Sequence, residues 1–319
     1  MEKLLNDAKD SLAIDDFEKR RDNTPLEFEI RRLRSKIIKS KNGQNVTKAW
    51  LKCIEMLELI KFKGSQVFFN AELPGGFVLA TNHYLGNQGI KMEWYISSLY
   101  PKQNNTQKAL GDTYEIISRN VTNSLVGPLK TNKGQYWCDG DVTNPRMPNI
   151  LGELVKNGIG KVDLYTADGG LNVVGEENKQ EKLAYPIILG EVKTGLLCLK
   201  VGGFMILKIY TFFSEPMKIL LSRLIKVFDE YKLYKPSASP KLNSEIYFIG
   251  IGYHGVSEDY DLENIIDLEN NKILTKIMNE LATDQITEIN KFLNNEMNDI
   301  KLNYDYVGKL DTKNYIPTK

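Results

Sequence analysis

Residues Gln66–Phe77, QVFFNAELPGGF, decide how the rest of the chain is read. Val67, Phe68 and Phe69 make a short apolar run of strand length. Pro74, Gly75 and Gly76 break it, and Phe77 to Tyr84 resumes with helical character. A strand, a glycine turn and a helix leave free backbone N–H groups at one edge of a parallel sheet, where nucleotide-like ligands bind. A lone glycine pair after a strand also marks an ordinary tight turn, so the remaining segments must decide.

Downstream, further strands alternate with helices. Glu93–Ser98 is strand-like, Met147–Asn157 helical, and Lys161–Thr166 a strand closed by Ala167-Asp168-Gly169-Gly170. Gly190–Lys200 reads as a helix that Gly202-Gly203 breaks before a buried strand, Phe204–Tyr210. Pro216–Tyr231 reads as an amphipathic helix, and Glu245–Ile251 as the last strand. Residues 102–146 are polar and irregular around Gly140-Asp141-Val142-Thr143. Alternation of this kind argues a mainly parallel α/β sheet. Before it, residues 1–41 are helical with an interruption at Asn23-Thr24-Pro25. Asn45–Ile60 is a helix with Thr47 as its N-cap and Ala49, Trp50, Cys53, Ile54, Leu57 and Ile60 on one apolar face. The segment from Asp261 onward is charged and helical, with a loose tail.

Composition sets the outer limits. The chain has 319 residues, 42% of them hydrophobic, and a net charge of +1. That is enough for one large core and excludes a global polyelectrolyte. Charge is uneven, however. Ten basic residues (Arg31, Arg32, Arg34, Lys36, Lys39, Lys41, Lys48, Lys52, Lys61, Lys63) face only Glu55 and Glu58 between positions 31 and 63, a local net of +8. Such a run is either the footprint of a phosphate-bearing partner or a solvated helical face. Cys53, Cys138 and Cys198 suit neither a disulfide framework nor a zinc site, and His83 and His254 add nothing to them, so a reducing compartment and no metal are expected. The charged start MEKLLNDAKD is no signal peptide, and Leu196–Tyr210 is too short and too lysine-bearing to span a bilayer. A soluble intracellular protein without membrane contact is expected.

Four polar residues stand out within this frame. Asp168 follows one strand, and Lys208 lies inside FMILKIY near the end of another, which sets an acid and a lysine at the ligand edge of the sheet. Burial and a nearby cation would push the Lys208 pKa down until it could accept a proton from a hydroxyl. Its side chain could equally snorkel into water. Lys52, beside an apolar helical face, could be a plain solvent lysine. Glu245 opens the last strand.

These residues carry a resemblance. The chain is similar to the FtsJ-like family of S-adenosylmethionine-dependent RNA 2′-O-methyltransferases, above all to the versions encoded by large cytoplasmic DNA viruses such as African swine fever virus. The family's strand and Pro-Gly-Gly turn match Glu72-Leu73-Pro74-Gly75-Gly76-Phe77. Its first lysine, in a Lys-x-x-Glu pattern, matches Lys52-Cys53-Ile54-Glu55. Its aspartate after a strand matches Asp168, its second lysine Lys208 in MILKIY, and its glutamate after Lys-Pro-x-x-Ser matches Glu245 behind Lys235–Ser239. The match covers about residues 45 to 253. Phe69 stands where many members carry an acid, and Ser97 and Ser98 stand where an acid commonly holds the cofactor's ribose; Asp141 does match the acid near the adenine.

The resemblance implies a Rossmann-like methyltransferase fold with a mainly parallel seven-stranded sheet and helices on both faces. Residues 45–255 would form this domain, between a helical arm over 1–44 and a helical extension over 256–319. It implies a catalytic set of Lys52, Asp168, Lys208 and Glu245, with Lys208 as general base, and S-adenosyl-L-methionine held by Glu72, Pro74, Gly75, Gly76, Phe77, Ser98, Asp141 and Asp168. The implied activity is ribose 2′-O-methylation of RNA, with the 5′ cap region of mRNA as the expected target and other capping or transcription proteins as candidate partners. The implied setting is the host cytoplasm or the virion. An RNA-binding scaffold that keeps the fold without catalysis is the alternative; ribosomal or transfer RNA is another substrate class.

Overall fold

The computed structural model describes residues 1–100, 111–131, 134–171, 173, 176–257 and 260–319. Three helices come first: α1 (Glu2–Asp10), α2 (Phe17–Asp22) and α3 (Pro25–Lys41). Next is α4 (Lys48–Leu59), whose first turn is closed by Thr47 accepting from the Trp50 N–H at 3.1 Å. The organising stretch then folds as β1 (Gln66–Asn70) and α5 (Gly76–Gly86), followed by β2 (Glu93–Ser97). After a short α6 (Ile116–Arg119) come β3 (Gly127–Thr131), β4 (Gly134–Cys138) and α7 (Met147–Gly158). The chain continues through β5 (Val162–Ala167), α8 (Gln180–Cys198), β6 (Leu199–Ile209), α9 (Glu215–Ile225), β7 (Phe228–Tyr234), β8 (Ile246–Tyr253) and α10 (Leu268–Leu293).

Among the described residues the main sheet has six strands, not the expected seven, in the order β2-β1-β5-β6-β8-β7. The pairs β1–β2, β1–β5 and β5–β6 are parallel, and β8 runs antiparallel to both β6 and β7. β3 and β4 form a separate antiparallel hairpin, and α6 a short helix, inside the stretch read as irregular, of which residues 102–110 and 132–133 lie outside the described residues.

Two other elements differ from the sequence reading. Gly202 and Gly203 do not end a helix. α8 already stops at Cys198, and β6 begins at Leu199 with a bulge, since Val162 pairs with Leu199 but Leu164 pairs with Phe204. Gly202, at φ +80°, supplies the left-handed residue that the bulge needs. The helix read over 216–231 ends at Ile225, and Phe228 starts an edge strand. Phe228 packs where Gly250 of β8 leaves room for its ring.

The sheet is buried on both faces, as strands in parallel sheets are. Val67, Phe69, Leu164, Ile206 and Ile249 point into one core, where α3, α4 and α5 contribute Ile30, Trp50 and Val78. Phe68, Tyr165, Met205, Leu207 and Phe248 point into the other, against Leu151 of α7, Ile188 of α8, Leu220 of α9 and Leu274 of α10. The alternation along β1 is that of a strand covered on both sides.

The glycine turn follows from this packing. Gly75 sits at φ +101°, and a Cβ there would also strike Ile116. Gly76 faces α4: a Cβ would lie 2.8 Å from Thr47 Oγ1, 2.9 Å from Ala49 Cβ and 3.2 Å from the Trp50 nitrogen. Backbone and helix cap leave little room to shift. Gly76→Val should therefore push α5 off α4 and destabilise the protein by about 1–3 kcal/mol, the usual cost of overpacking. Urea unfolding followed by circular dichroism checks this, and an unchanged midpoint would contradict it.

Candidate active site

Strand direction brings the four singled-out residues together. β5 and β6 are parallel, so Asp168 and Lys208 lie at neighbouring carboxyl ends. β8 is antiparallel to β6 with Lys208 opposite Tyr247, which sets Glu245, just ahead of β8, at the same edge. Lys52 reaches the group from α4. Its Nζ pairs with Glu245 Oε1 at 2.6 Å, and Lys208 Nζ pairs with Asp168 Oδ1 at 3.3 Å while donating to the Asp168 carbonyl at 2.7 Å. Tyr247 ties the pairs to each other. Its hydroxyl donates to Asp168 Oδ1 at 2.8 Å, and its ring lies 5.7 Å below Lys52 Nζ. Lys52 and Lys208 are each 8% exposed, so the snorkelling and solvent-lysine alternatives do not describe them.

Electrostatics corrects one expectation. The Lys208 pKa is raised above that of an ordinary lysine, not lowered. Burial alone would lower it, but Asp168 is in contact, and Tyr210 and Glu245 add to the pull toward the ammonium. The cation expected beside it, Lys52, is occupied by Glu245. The Glu245 carboxyl is in turn lowered: burial opposes this, and Lys52 and Lys208 outweigh it. The depressed lysine is Lys235. Burial brings it down to about 7 against the pull of Glu245, with Lys52 and Lys241 reinforcing the shift.

Two carboxyls under the site are pushed the other way. Burial raises Glu191 to about 8, and raises Glu72 well above the usual carboxyl range with Asp168 adding repulsion. Glu191 Oε1 accepts from the Gly169 N–H at 3.1 Å and so holds the turn that follows Asp168.

Sequence reasoning passed over the residue that locks the loop ahead of Glu245. Glu55 accepts from the Ser237 N–H at 2.8 Å, the Ser237 hydroxyl at 2.6 Å, the Tyr234 hydroxyl at 2.5 Å and the Tyr304 hydroxyl at 2.8 Å. Three residues beyond Lys52, it shares that residue's side of α4, and the Lys-x-x-Glu spacing was its one legible sign. The loop it fixes carries Ser239, which donates to Glu245 Oε1 at 2.9 Å, and Lys235, which donates to the Glu245 carbonyl at 2.8 Å.

The residues read as cofactor ligands are distributed unevenly. Glu72 is buried and accepts from Thr166 Oγ1 at 2.7 Å. Pro74 follows a cis peptide bond and leads into Gly75. Gly76 and Phe77 face inward, Gly76 onto α4 and Phe77 onto the Tyr247 ring at 6.0 Å, because the first turn of α5 is covered on both sides. Ser98 is buried, and its carbonyl abuts Gly140, where a Cβ would not fit. Asp141 spends one oxygen on its own turn, accepting from the Thr143 N–H at 3.0 Å and hydroxyl at 2.7 Å. Asn70 and Ser97 pair across the carboxyl ends of β1 and β2, and Asn70 Oδ1 and Ser97 Oγ are both buried without a hydrogen-bond partner among the described residues. Such orphaned groups are costly and rare in folded proteins. At the carboxyl ends of β1 and β2, next to the glycine turn, they fit a polar cofactor such as S-adenosylmethionine.

Half of the basic run is paired with acids. Arg32 pairs with Glu29, Lys36 with Asp305, Lys48 with Glu27, Lys52 with Glu245 and Lys61 with Glu58. Four of those five acids lie outside positions 31–63, which is why a count along the sequence overstated the charge. Among the described residues no cluster of three or more His, Cys, Asp or Glu side chains is placed to hold a metal ion, and no helix is long and apolar enough to cross a membrane.

The family model described as FtsJ-like methyltransferase matches residues 45–253. An African swine fever virus protein (strain Badajoz 1971 Vero-adapted) named "Probable methyltransferase EP424R" is 39% identical over 221 residues, 68% of this chain and 52% of that protein. "Uncharacterized protein L511" of Acanthamoeba polyphaga mimivirus is 30% identical over 305 residues, 89% of this chain and 37% of that one. A Danio rerio protein named cap-specific mRNA (nucleoside-2′-O-)-methyltransferase 2 is 27% identical over 262 residues, 78% of this chain and 34% of the other. The chain thus spans about half the length of the swine fever virus relatives it matches.

The low pKa of Lys235 has a consequence for stability. A lysine at about 7 in the fold and 10.5 when unfolded leaves the unfolded chain holding more protons between those values. Stability should therefore rise with pH through that window. The native protein should gain on the order of 1–2 kcal/mol relative to Lys235→Gln between pH 7 and 9. Paired denaturant titrations measure this, and parallel pH curves would refute it.

Proposed function

Starting from the fact that the chain belongs to the FtsJ-like methyltransferases, we propose that it methylates the 2′-hydroxyl of an RNA ribose with S-adenosylmethionine as donor. The observation that carries this is the pair of buried ion pairs, Lys52–Glu245 and Asp168–Lys208, bridged by Tyr247 at the carboxyl edge of the sheet. Similarity to the zebrafish protein named for cap-specific methylation supports the mRNA cap region as target. The host cytoplasm or the virion is the proposed setting, through similarity to the swine fever virus proteins.

The cofactor, when bound, supplies a methyl on a sulfonium, already activated for in-line displacement, and a positive charge that favours a neutral neighbouring lysine. The residues of the chain have to align the hydroxyl and take its proton. Lys208 Nζ is the acceptor of that proton. Asp168 holds Lys208 through carboxylate and carbonyl, so the amine points in one direction. Lys52, fixed by Glu245, steadies the negative charge that grows on the ribose oxygen. Glu245 is fixed by Ser239 and by the loop that Glu55 clamps.

Lys208→Arg separates this role from phosphate binding. Arginine keeps the charge but cannot give up its proton in a protein. Methyl transfer should fall by a factor on the order of 10² or more, while calorimetry shows cofactor affinity retained. Because Asp168 holds the lysine protonated, the native rate should climb with pH through 7–9 as the neutral amine becomes more abundant. A variant that methylates RNA at the native rate would remove Lys208 from the chemistry.

A further inference from the structure

Between the Lys235–Ser244 loop and α10 lies a cavity of about 180 Å³. Tyr210, Ile246, Met278, Leu281, Lys235 and Lys241 are among the residues that line it. α10 falls outside residues 45–253. It is nonetheless fixed to the loop by Gln285, which is 6% exposed. Gln285 Nε2 donates to the Leu242 carbonyl at 2.8 Å, and its Oε1 accepts from the Ser244 hydroxyl at 3.1 Å. The far wall is thus built onto the element that presents Glu245.

The geometry points to this cavity as a subsite for one nucleobase of the RNA strand, next to the nucleotide whose ribose faces Lys208. This rests on the RNA 2′-O-methyltransferase reading above. Position comes first. A Cβ on Gly170 would lie 3.2 Å from Lys208 Nζ and 3.4 Å from the Tyr210 hydroxyl, so the reacting lysine and the cavity wall border one point. Size comes second. The volume would hold about six waters at ~30 Å³ each, the bulk of a single flat heterocycle. Chemistry comes third. Apolar side chains and an aromatic ring accept any base face, and Lys241 suits the phosphate that must stay outside. Asp284 also lines the cavity, so the phosphate backbone is expected to pass beside Lys241 and away from that carboxylate.

The test uses the full chain with fluorescein-labelled eight-nucleotide single-stranded RNAs, each with one abasic ribose scanned along the strand. For the native protein one abasic position should weaken binding about tenfold in fluorescence anisotropy, the scale of losing one stacked base. Leu281→Trp, which fills the cavity, should lose about the same factor on intact RNA and respond equally to every abasic position. Lys241→Ala keeps the cavity and should lower the salt slope by about one phosphate contact. A flat abasic scan with the native protein would overturn the subsite whether or not Leu281→Trp folds. So would a folded Leu281→Trp protein, by thermal melt, that keeps the position-dependent loss. If the native protein shows the sensitive position but methylates no RNA ribose, the catalytic assignment fails and the subsite stands.

Discussion

Two lysines and two carboxylates are buried side by side, and much of the fold is arranged to keep them paired. Lys52 and Glu245 come from α4 and the start of β8; Asp168 and Lys208 come from the ends of β5 and β6. Removing one partner of a buried pair typically costs about 3–5 kcal/mol, because a charge is stranded away from water. The geometry among α4, β5, β6 and β8 is therefore constrained from within. Each partner is held in turn: Glu245 by Ser239, Asp168 by Tyr247, and the loop by Glu55. A pair of isolated ions would contribute little stability over an apolar filling.

Much of this was legible in the sequence. A β-strand running into Pro74-Gly75-Gly76, and lysines and acids placed at strand ends, are local patterns that survive folding unchanged. What escaped were properties that depend on partners distant in sequence. Nothing near Phe228 announces an edge strand, because its support is the gap at Gly250 on another strand. Lys208 reads as an isolated amine in an apolar run, whereas its titration is governed by Asp168, forty residues away. Lys235 reads as an ordinary loop lysine, and only the folded loop buries it beside Lys52 and Lys241. The basic run lost half of its apparent excess to Glu27, Glu29, Glu245 and Asp305, none of which a window over 31–63 contains.

Glycine has two jobs here that the sequence writes identically. At Gly75 and Gly202 it permits a left-handed backbone; at Gly76 and Gly140 it also or instead makes room for a neighbouring backbone. The distinction matters for the Pro-Gly-Gly turn. One glycine shapes the loop and the next joins two helices, so loss of cofactor binding in a variant of the second would report a displaced helix as readily as a lost ligand contact.

The reversed strand β8 has a bearing on how such a chain can drift in length. β6 leaves the site and β8 re-enters it, and their register is fixed by pairing from Phe204–Ile251 to Ile209–Ile246. Everything between the two crossings, α9 and β7 included, is an excursion whose ends are pinned. Residues can be gained or lost at the far turns of that excursion while Lys208 and Glu245 keep their separation. One residue gained inside β8 would instead rotate every following side chain to the opposite face. Natural length variation should therefore gather at the turns flanking α9 and β7 and leave the paired segment untouched.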